Sequence, residues 1–304
     1  MIGPRFGEDA AVIDLGDRYL ILKSDPVTFT AQELGWYAVH VNANDIAVMG
    51  ARPRWFQTTL IAPPGTDDGT VRRILRDVHI AAKGLGIAIT GGHTEISPAV
   101  RQPIIAGDMQ GTVAHDRLIT SGGARPGDVI LLTKWAAIEG TSILAREFPA
   151  VARRLLGERG QRRAARFHHR PGISVVPEAL LAARLGATAL HDPTEGGVAA
   201  AVYELAVASS CRIELDLEQI PVHPITTRLC AHFRISPLGL IASGSLLAAV
   251  PPQRLRRLMA RLARMQIAAT PIGAVQAGHG VRARRAGKRV PFEWSERDAL
   301  TQVL

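Results

Sequence analysis

Asparagine is nearly absent from this chain: Asn42 and Asn44 are the only two in 304 residues. Cysteine is as scarce, with Cys211 and Cys230 alone. Their spacing matches neither a zinc site nor a redox pair. That excludes a disulfide-stapled scaffold and points to a reduced, cytoplasmic protein. Long apolar runs are missing too. None approaches the roughly 18 to 20 residues of a membrane span, and the longest candidate, 238–250, is broken by glycine and serine. The opening MIGPRFGEDAAVID has no basic stretch leading into an apolar one, so no secretory signal is expected. Lysine is rare, confined to Lys23, Lys83, Lys134 and Lys288, so arginine carries most of the positive charge behind a net +9. Arginine clusters at 153–170, 254–264 and 282–289 have no interleaved aromatics and no zinc-finger or RNP-type pattern. They read as solvated helix faces, and nucleic acid is not the expected partner.

What is present is a globular composition, 47% apolar and 21% charged, with enough chain for two ordinary domains. Two short apolar strands flank a turn at 14–17. A helix is expected over 34–49, a strand over 55–62, and a helix entered at Thr66 or Asp67 and closed by Gly84 or Gly86. A strand at 87–90 leads into the loop GGHTEIS, and another strand covers roughly 103–113. The turn-rich TSGGARPGD marks a boundary. Beyond it, strands at 129–133, 211–216, 245–250 and 272–276 and the short apolar ATAL alternate with helices after IEGT and at 175–185, 196–208, 224–232 and 252–264. Ser295 and Asp298 stand in capping-box spacing before a last helix. This alternation predicts two α/β or α+β domains, 1–122 and 123–304.

Four stretches carry candidate chemistry. A hairpin centred near Gly16 is expected to bring Asp9 opposite Asp25. Facing carboxylates repel unless a cation lies between them, and hard oxygen ligands suit Mg²⁺ with phosphate as co-ligand. Two solvated strand ends are the plainer alternative. In the helix VHVNANDIAVMG, Val39, Ala43, Ile46 and Ala47 form an apolar face, whereas Asn42 and Asp45 lie together one turn apart. So uncharged a helix is mostly buried, and its polar groups need partners. They line either a cation and phosphate cavity or a hydrogen-bonded helix contact. In TGGHTEIS, Gly91 and Gly92 permit close backbone approach to phosphate and Thr94 offers a hydroxyl, although the P-loop spacing is missing. In HDPTEGGVAAAVYELA, Asp192 or Thr194 is expected to cap a helix whose first turn holds Glu195, Gly196 and Gly197, and an exposed helix N-terminus suits an anion.

Taken in order, GEDAAVID, SDP, VNANDIAVMGARP, GGHTE and HDPTEGG resemble the superfamily of aminoimidazole ribonucleotide (AIR) synthase. NDIAVMGARP, ARPGDVILLTK, IEGTSILARE and HDPTEGGV look most like its HypE-like, AIR synthase-related branch of hydrogenase expression/formation proteins. The resemblance runs over about residues 3 to 275. It implies a two-domain PurM-like fold, with an N-terminal domain that binds Mg-ATP and pairs in a homodimer around a barrel-like core, and a C-terminal α/β domain. It implies an ATP-dependent enzyme that acts on a carbonyl, amide or phosphate oxygen. Asp9, Asp25 and Asp45 would hold Mg²⁺. Asn42, Asn44, Gly91, Gly92 and Thr94 would lie at the nucleotide phosphates, and Asp192 would approach from the second domain. His93, Glu95 and Glu195 are the candidates for proton transfer. HypE itself carries its substrate on a C-terminal cysteine, but this chain ends DALTQVL, so a self-carried thiocyanate is not expected. Family members also carry some tens of residues before GEDAA, so either a misassigned start or a missing N-terminal lid is expected. Alternative readings are dehydration of a carbamoyl group on another chain's cysteine, with a maturation-protein partner, or a nucleotide-binding scaffold without turnover.

Overall fold

The turn read at 14–17 folds a hairpin. In a computed structural model that describes residues 1–3, 5–28 and 32–304, β1 (Ala11–Asp14) pairs antiparallel with β2 (Tyr19–Val27). The chain divides into two units. One holds Ala10–Leu118 with the first residues, and the other holds Arg5–Asp9 with Ile119–Leu304.

The first unit is a five-stranded sheet in the order β1-β2-β5-β3-β4. β3 (Arg52–Ala62) and β5 (Ile104–Val113) are its long central strands. β4 (Ala88–Ile96) runs parallel to β3, across the expected helical crossover. That crossover is α2 (Asp68–Leu85), whose N-cap Asp67 accepts the Thr70 N–H at 2.9 Å and whose C-cap is Gly86. α2 buries Ile74, Val78, Ala81 and Ala82, a stripe at helical spacing. α1 (Leu34–Val48) is buried almost all round, as its lack of charge predicts. β4 corrects one expectation: GGHTE is strand rather than loop, because its ladder to β3 continues to Ile96. Both faces of β4 are exposed.

The second unit is a seven-stranded sheet in the order β12-β11-β8-β10-β6-β9-β7. Its strands are β6 (Val129–Thr133), β7 (Ala189–His191), β8 (Arg212–Asp216), β9 (Leu247–Val250), β10 (Ala269–Gln276), β11 (Gly280–Arg285) and β12 (Lys288–Val290). All neighbours are antiparallel except β11 and β8. Its helices are α3 (Ile138–Glu147), α4 (Pro149–Ala165), α5 (Val176–Leu185), α6 (Gly197–Ala208), α7 (Pro224–Phe233) and α8 (Pro252–Arg264). A core of small and branched residues, among them Ile130, Leu132, Val198, Val202, Leu205 and Leu247, joins sheet and helices. α4 carries the first arginine cluster, read from the sequence as a solvated helix face, and its sequence has no apolar stripe. It buries only Ala152 and Ala164 and kinks at Gly157. Among the described residues, no helix is long and apolar enough to cross a membrane.

Candidate functional site

In the first unit, β2 and α1 bring two of the expected carboxylates to one cation. Alternation along β2 turns Lys23 and Asp25 to the face shared with α1. The Lys23 ammonium lies 3.2 Å from Asp25 and 3.5 Å from Asp45, which is 2% exposed. Asn42 answers for one of the rare asparagines. Its Oδ1 accepts the Asp25 N–H at 2.9 Å, and its Nδ2 donates to the Asp25 carbonyl at 3.3 Å and the Ala38 carbonyl at 2.8 Å. The carboxamide is therefore a brace that fixes the backbone of Asp25, rather than a group turned into a cavity. Gly107 stands opposite Asp25 in the ladder, and a Cβ there would meet Asn42 Nδ2 at 2.5 Å. Asn44 is fully buried in the same helix. Hard carboxylate oxygens gathered round one positive charge are the donor chemistry that Mg²⁺ takes, so Asp25 and Asp45 fit that ion.

The opposite face of this sheet bears a polar groove of about 480 Å³ lined by Ser24, Gln57, Thr59, His93 and Asp108 among others. Burial raises the Asp108 carboxyl above its ordinary range. Gly91 and Gly92 pair with Gln57 and Thr58 inside the ladder. Thr94 is exposed, as are His93 and Glu95, whose side chains approach to 3.8 Å.

Asp9 departs from its expected place. The hairpin ladder sets Ala11 against Leu22 and ends there, one step off the register that would set Asp9 against Asp25. The chain leaves β1 before reaching Asp9, which belongs with the second unit. There the Glu8 carboxylate accepts the Ser121 and Gly122 N–H groups at 3.2 and 3.3 Å. Asp9 lies 2.8 Å from His191 Nδ1 and accepts from the Ser121 hydroxyl at 3.1 Å. His191 Nε2 lies 2.9 Å from Glu204 on α6. Burial would drive the imidazole to its neutral form, but Asp9 and Glu204 outweigh it and hold His191 protonated well above its ordinary range.

Asp192 follows β7 and is 1% exposed. It does not cap α6; the N-cap is Gly196, with a left-handed backbone at φ 73. Gly197 is left-handed too, at φ 63. A Cβ on Gly196 would meet the Ser295 carbonyl at 2.5 Å, and one on Gly197 the Leu238 carbonyl at 2.5 Å. These contacts, rather than an anion, account for the glycine pair. The helix N-terminus is largely used internally: Gly196 N–H donates to Asp298 at 2.9 Å and Ala199 N–H to the Leu238 carbonyl at 2.9 Å.

Lys23, Ser121, His191 and Glu204 were missed by sequence reasoning. Lysine scarcity was the available signal. Lys134 is likewise paired to a carboxylate, Glu178, at 2.7 Å.

The chain is similar to known proteins over both of its domains. The model of the AIR synthase related protein N-terminal domain matches residues 7–113, and that of the C-terminal domain matches residues 125–285. The carbamoyl dehydratase HypE of Escherichia coli is 30% identical over 270 residues, 84% of this chain and 76% of that protein. The same enzyme of Rhodobacter capsulatus is 29% identical over 274 residues, 90% and 76% of the two chains. The crystal structure of Escherichia coli HypE superposes with a TM-score of 0.82 at 25% identity, covering 96% of this chain and 92% of that one. A HypE structure in complex with ATP gives 0.79 at 24% identity, covering 95% and 88%.

Proposed function

Because the chain belongs to the AIR synthase related family through both of its domains, we propose that it is an ATP-dependent enzyme that activates a carbonyl or amide oxygen or phosphorylates a small acceptor. The observation that carries this reading is the convergence of Asp25 and Asp45 on one cation, with Asn42 bracing the Asp25 backbone. The dehydratase activity of the relatives supports the oxygen-activation branch. Asp25 and Asp45 would hold Mg²⁺, which when bound would supply charge neutralisation at the phosphates. Lys23 answers the two carboxylates, and its ammonium would also be available to phosphate oxygens. Asn42 holds the Asp25 backbone in place, and rigid placement of this kind is where phosphoryl-transfer catalysis resides.

A homodimer through the first unit is part of the proposal. The sheet face away from α1 is bare and carries Ile13, Leu20, Leu22 and Trp55 beside the exposed edge strand β4. Exposed edges and apolar faces recruit partners.

The test is Asp45→Asn. Mg-ATP should bind about tenfold more weakly, roughly 1.4 kcal/mol, in a titration calorimeter. The apo melting temperature should fall only slightly, since Lys23 keeps Asp25. Wild-type stabilisation by ATP should also depend on Mg²⁺ and vanish with EDTA. Unchanged Mg-ATP affinity in the variant would overturn the metal assignment. Binding without any ADP or phosphate release would favour a nucleotide-binding scaffold.

A further inference from the structure

The arginine cluster at 282–289 forms no helix face. It folds as β11 turning into β12, which is the edge strand of the second unit's sheet. Alternation along β11 buries Ala283 and puts Arg282 and Arg284 on the other face. Arg289 of β12 stands directly opposite Arg284 in the antiparallel ladder, and Lys288 stands opposite Arg285. Like charges set directly across a ladder weaken it, and a bound anion would offset that cost.

The neighbouring carboxylates do not offset it. Arg212 holds Glu214 at 3.0 Å, and Arg282 reaches the same oxygen only at 3.7 Å. Asp216 lies across from Arg284 in the ladder to β8, but it makes no ion pair among the described residues, and its Oδ1 accepts the Glu218 N–H at 3.1 Å. Glu218 in turn accepts the Ala286 N–H at 2.9 Å. Arg284 and Arg289 have no carboxylate partner among the described residues. Both line a groove of about 370 Å³ with Arg282, Glu214, Ala283 and Gly287. That volume lies in the range of small-molecule sites. The hairpin is held in shape as well. Ala286 and Gly287 are left-handed at φ 50 and 73, as a tight two-residue turn requires, and Glu218 ties Ala286 down.

The lining narrows the ligand. No aromatic side chain lines the groove, so it offers no platform for a base or ring. A guanidinium fork meets two oxygens, so a carboxylate would answer one arginine and leave the others unanswered. A phosphate monoester near neutral pH carries about two negative charges and three acceptor oxygens, which suits three forks around one group.

We propose that the groove between β11 and β12 is a binding site for the phosphate group of a small phosphorylated molecule, held by Arg284 and Arg289 from opposite strands with Arg282 beside them. The site uses none of the residues assigned to Mg-ATP and does not depend on that reading.

The test titrates the full chain with glycerol phosphate in a calorimeter, with sulfate and acetate as comparison anions. Glycerol phosphate should bind wild type at about pH 7.5 and about fivefold more weakly at about pH 5, where the monoester loses its second charge. Sulfate keeps both charges and should bind equally at the two. Arg284→Gln and Arg289→Gln should each weaken glycerol phosphate about tenfold, whereas Arg285→Gln, on the opposite face, should match wild type. The apo melting temperature of Arg284→Gln should hold or rise, because a like-charged pair is relieved. The pH comparison is made on wild type and needs no variant. Failure of wild type to bind either glycerol phosphate or sulfate overturns the proposal. So does unchanged affinity in Arg284→Gln and Arg289→Gln, or acetate bound as tightly as glycerol phosphate. A phosphoserine peptide bound far more tightly than glycerol phosphate would put the phosphate on a protein and overturn the small-molecule assignment. Mg-ATP affinity, measured on the same variants, should be unchanged. Its loss together with glycerol phosphate binding would merge the groove with the nucleotide site and overturn its independence.

Discussion

His191 bears the clearest consequence at the scale of single residues. It is buried between Asp9 and Glu204, and its folded-state affinity for protons is raised well above the ordinary imidazole range. The stability this brings is therefore complete below the unfolded-state value and is lost as pH rises through the folded one. His191→Gln leaves two carboxylates without their cation and should cost about 3 kcal/mol near neutral pH, read from urea denaturation. The gap to wild type should narrow in alkali, as the wild-type imidazolium gives up its proton. A gap independent of pH would show that packing, not charge, is what the variant loses. The cysteines make a contrast. Burial pushes the Cys230 thiol up to about 12, so it stays an unreactive core group.

Among the elements, α6 is held by its start rather than by a polar cap. Gly196 and Gly197 turn the chain through left-handed conformations under close-packed carbonyls, and Asp298 receives the Gly196 N–H. Gly196→Ala meets both a positive φ and the Ser295 carbonyl, so it should destabilise the protein by about 2 kcal/mol, measured by chemical denaturation. A loss within a few tenths of wild type would mean that the turn relaxes freely. α1 shows the other way to hold a polar helix: Asn42 meets strand backbone, and Asp45 meets Lys23.

For the whole molecule, the bare face of the first unit's sheet predicts self-association. Trp55 is 38% exposed on that face. Trp55→Glu would place a charge in an apolar contact and should shift the protein from dimer to monomer at micromolar concentration, seen by light scattering. Melting of the monomeric variant should then lose its dependence on protein concentration. A wild-type monomer would refute the proposed dimer.

Much of this was legible from residue order alone. A cap at Thr66 or Asp67 and a stop at Gly84 or Gly86 located α2, where the structure uses Asp67 and Gly86, and the absence of charge in α1 foretold its burial, because these follow from contacts within a few residues. Motif order led to the family that both domain matches bear out. Tertiary structure decided the partners. Nothing local says that Asp9 leaves its hairpin for His191, or that Lys23 stands between Asp25 and Asp45. Nor does it say that Asn42 braces a strand backbone, or that GGHTE continues as β4. Each depends on groups far apart along the chain, whose pairing is set by which strands lie side by side and which helix closes over them.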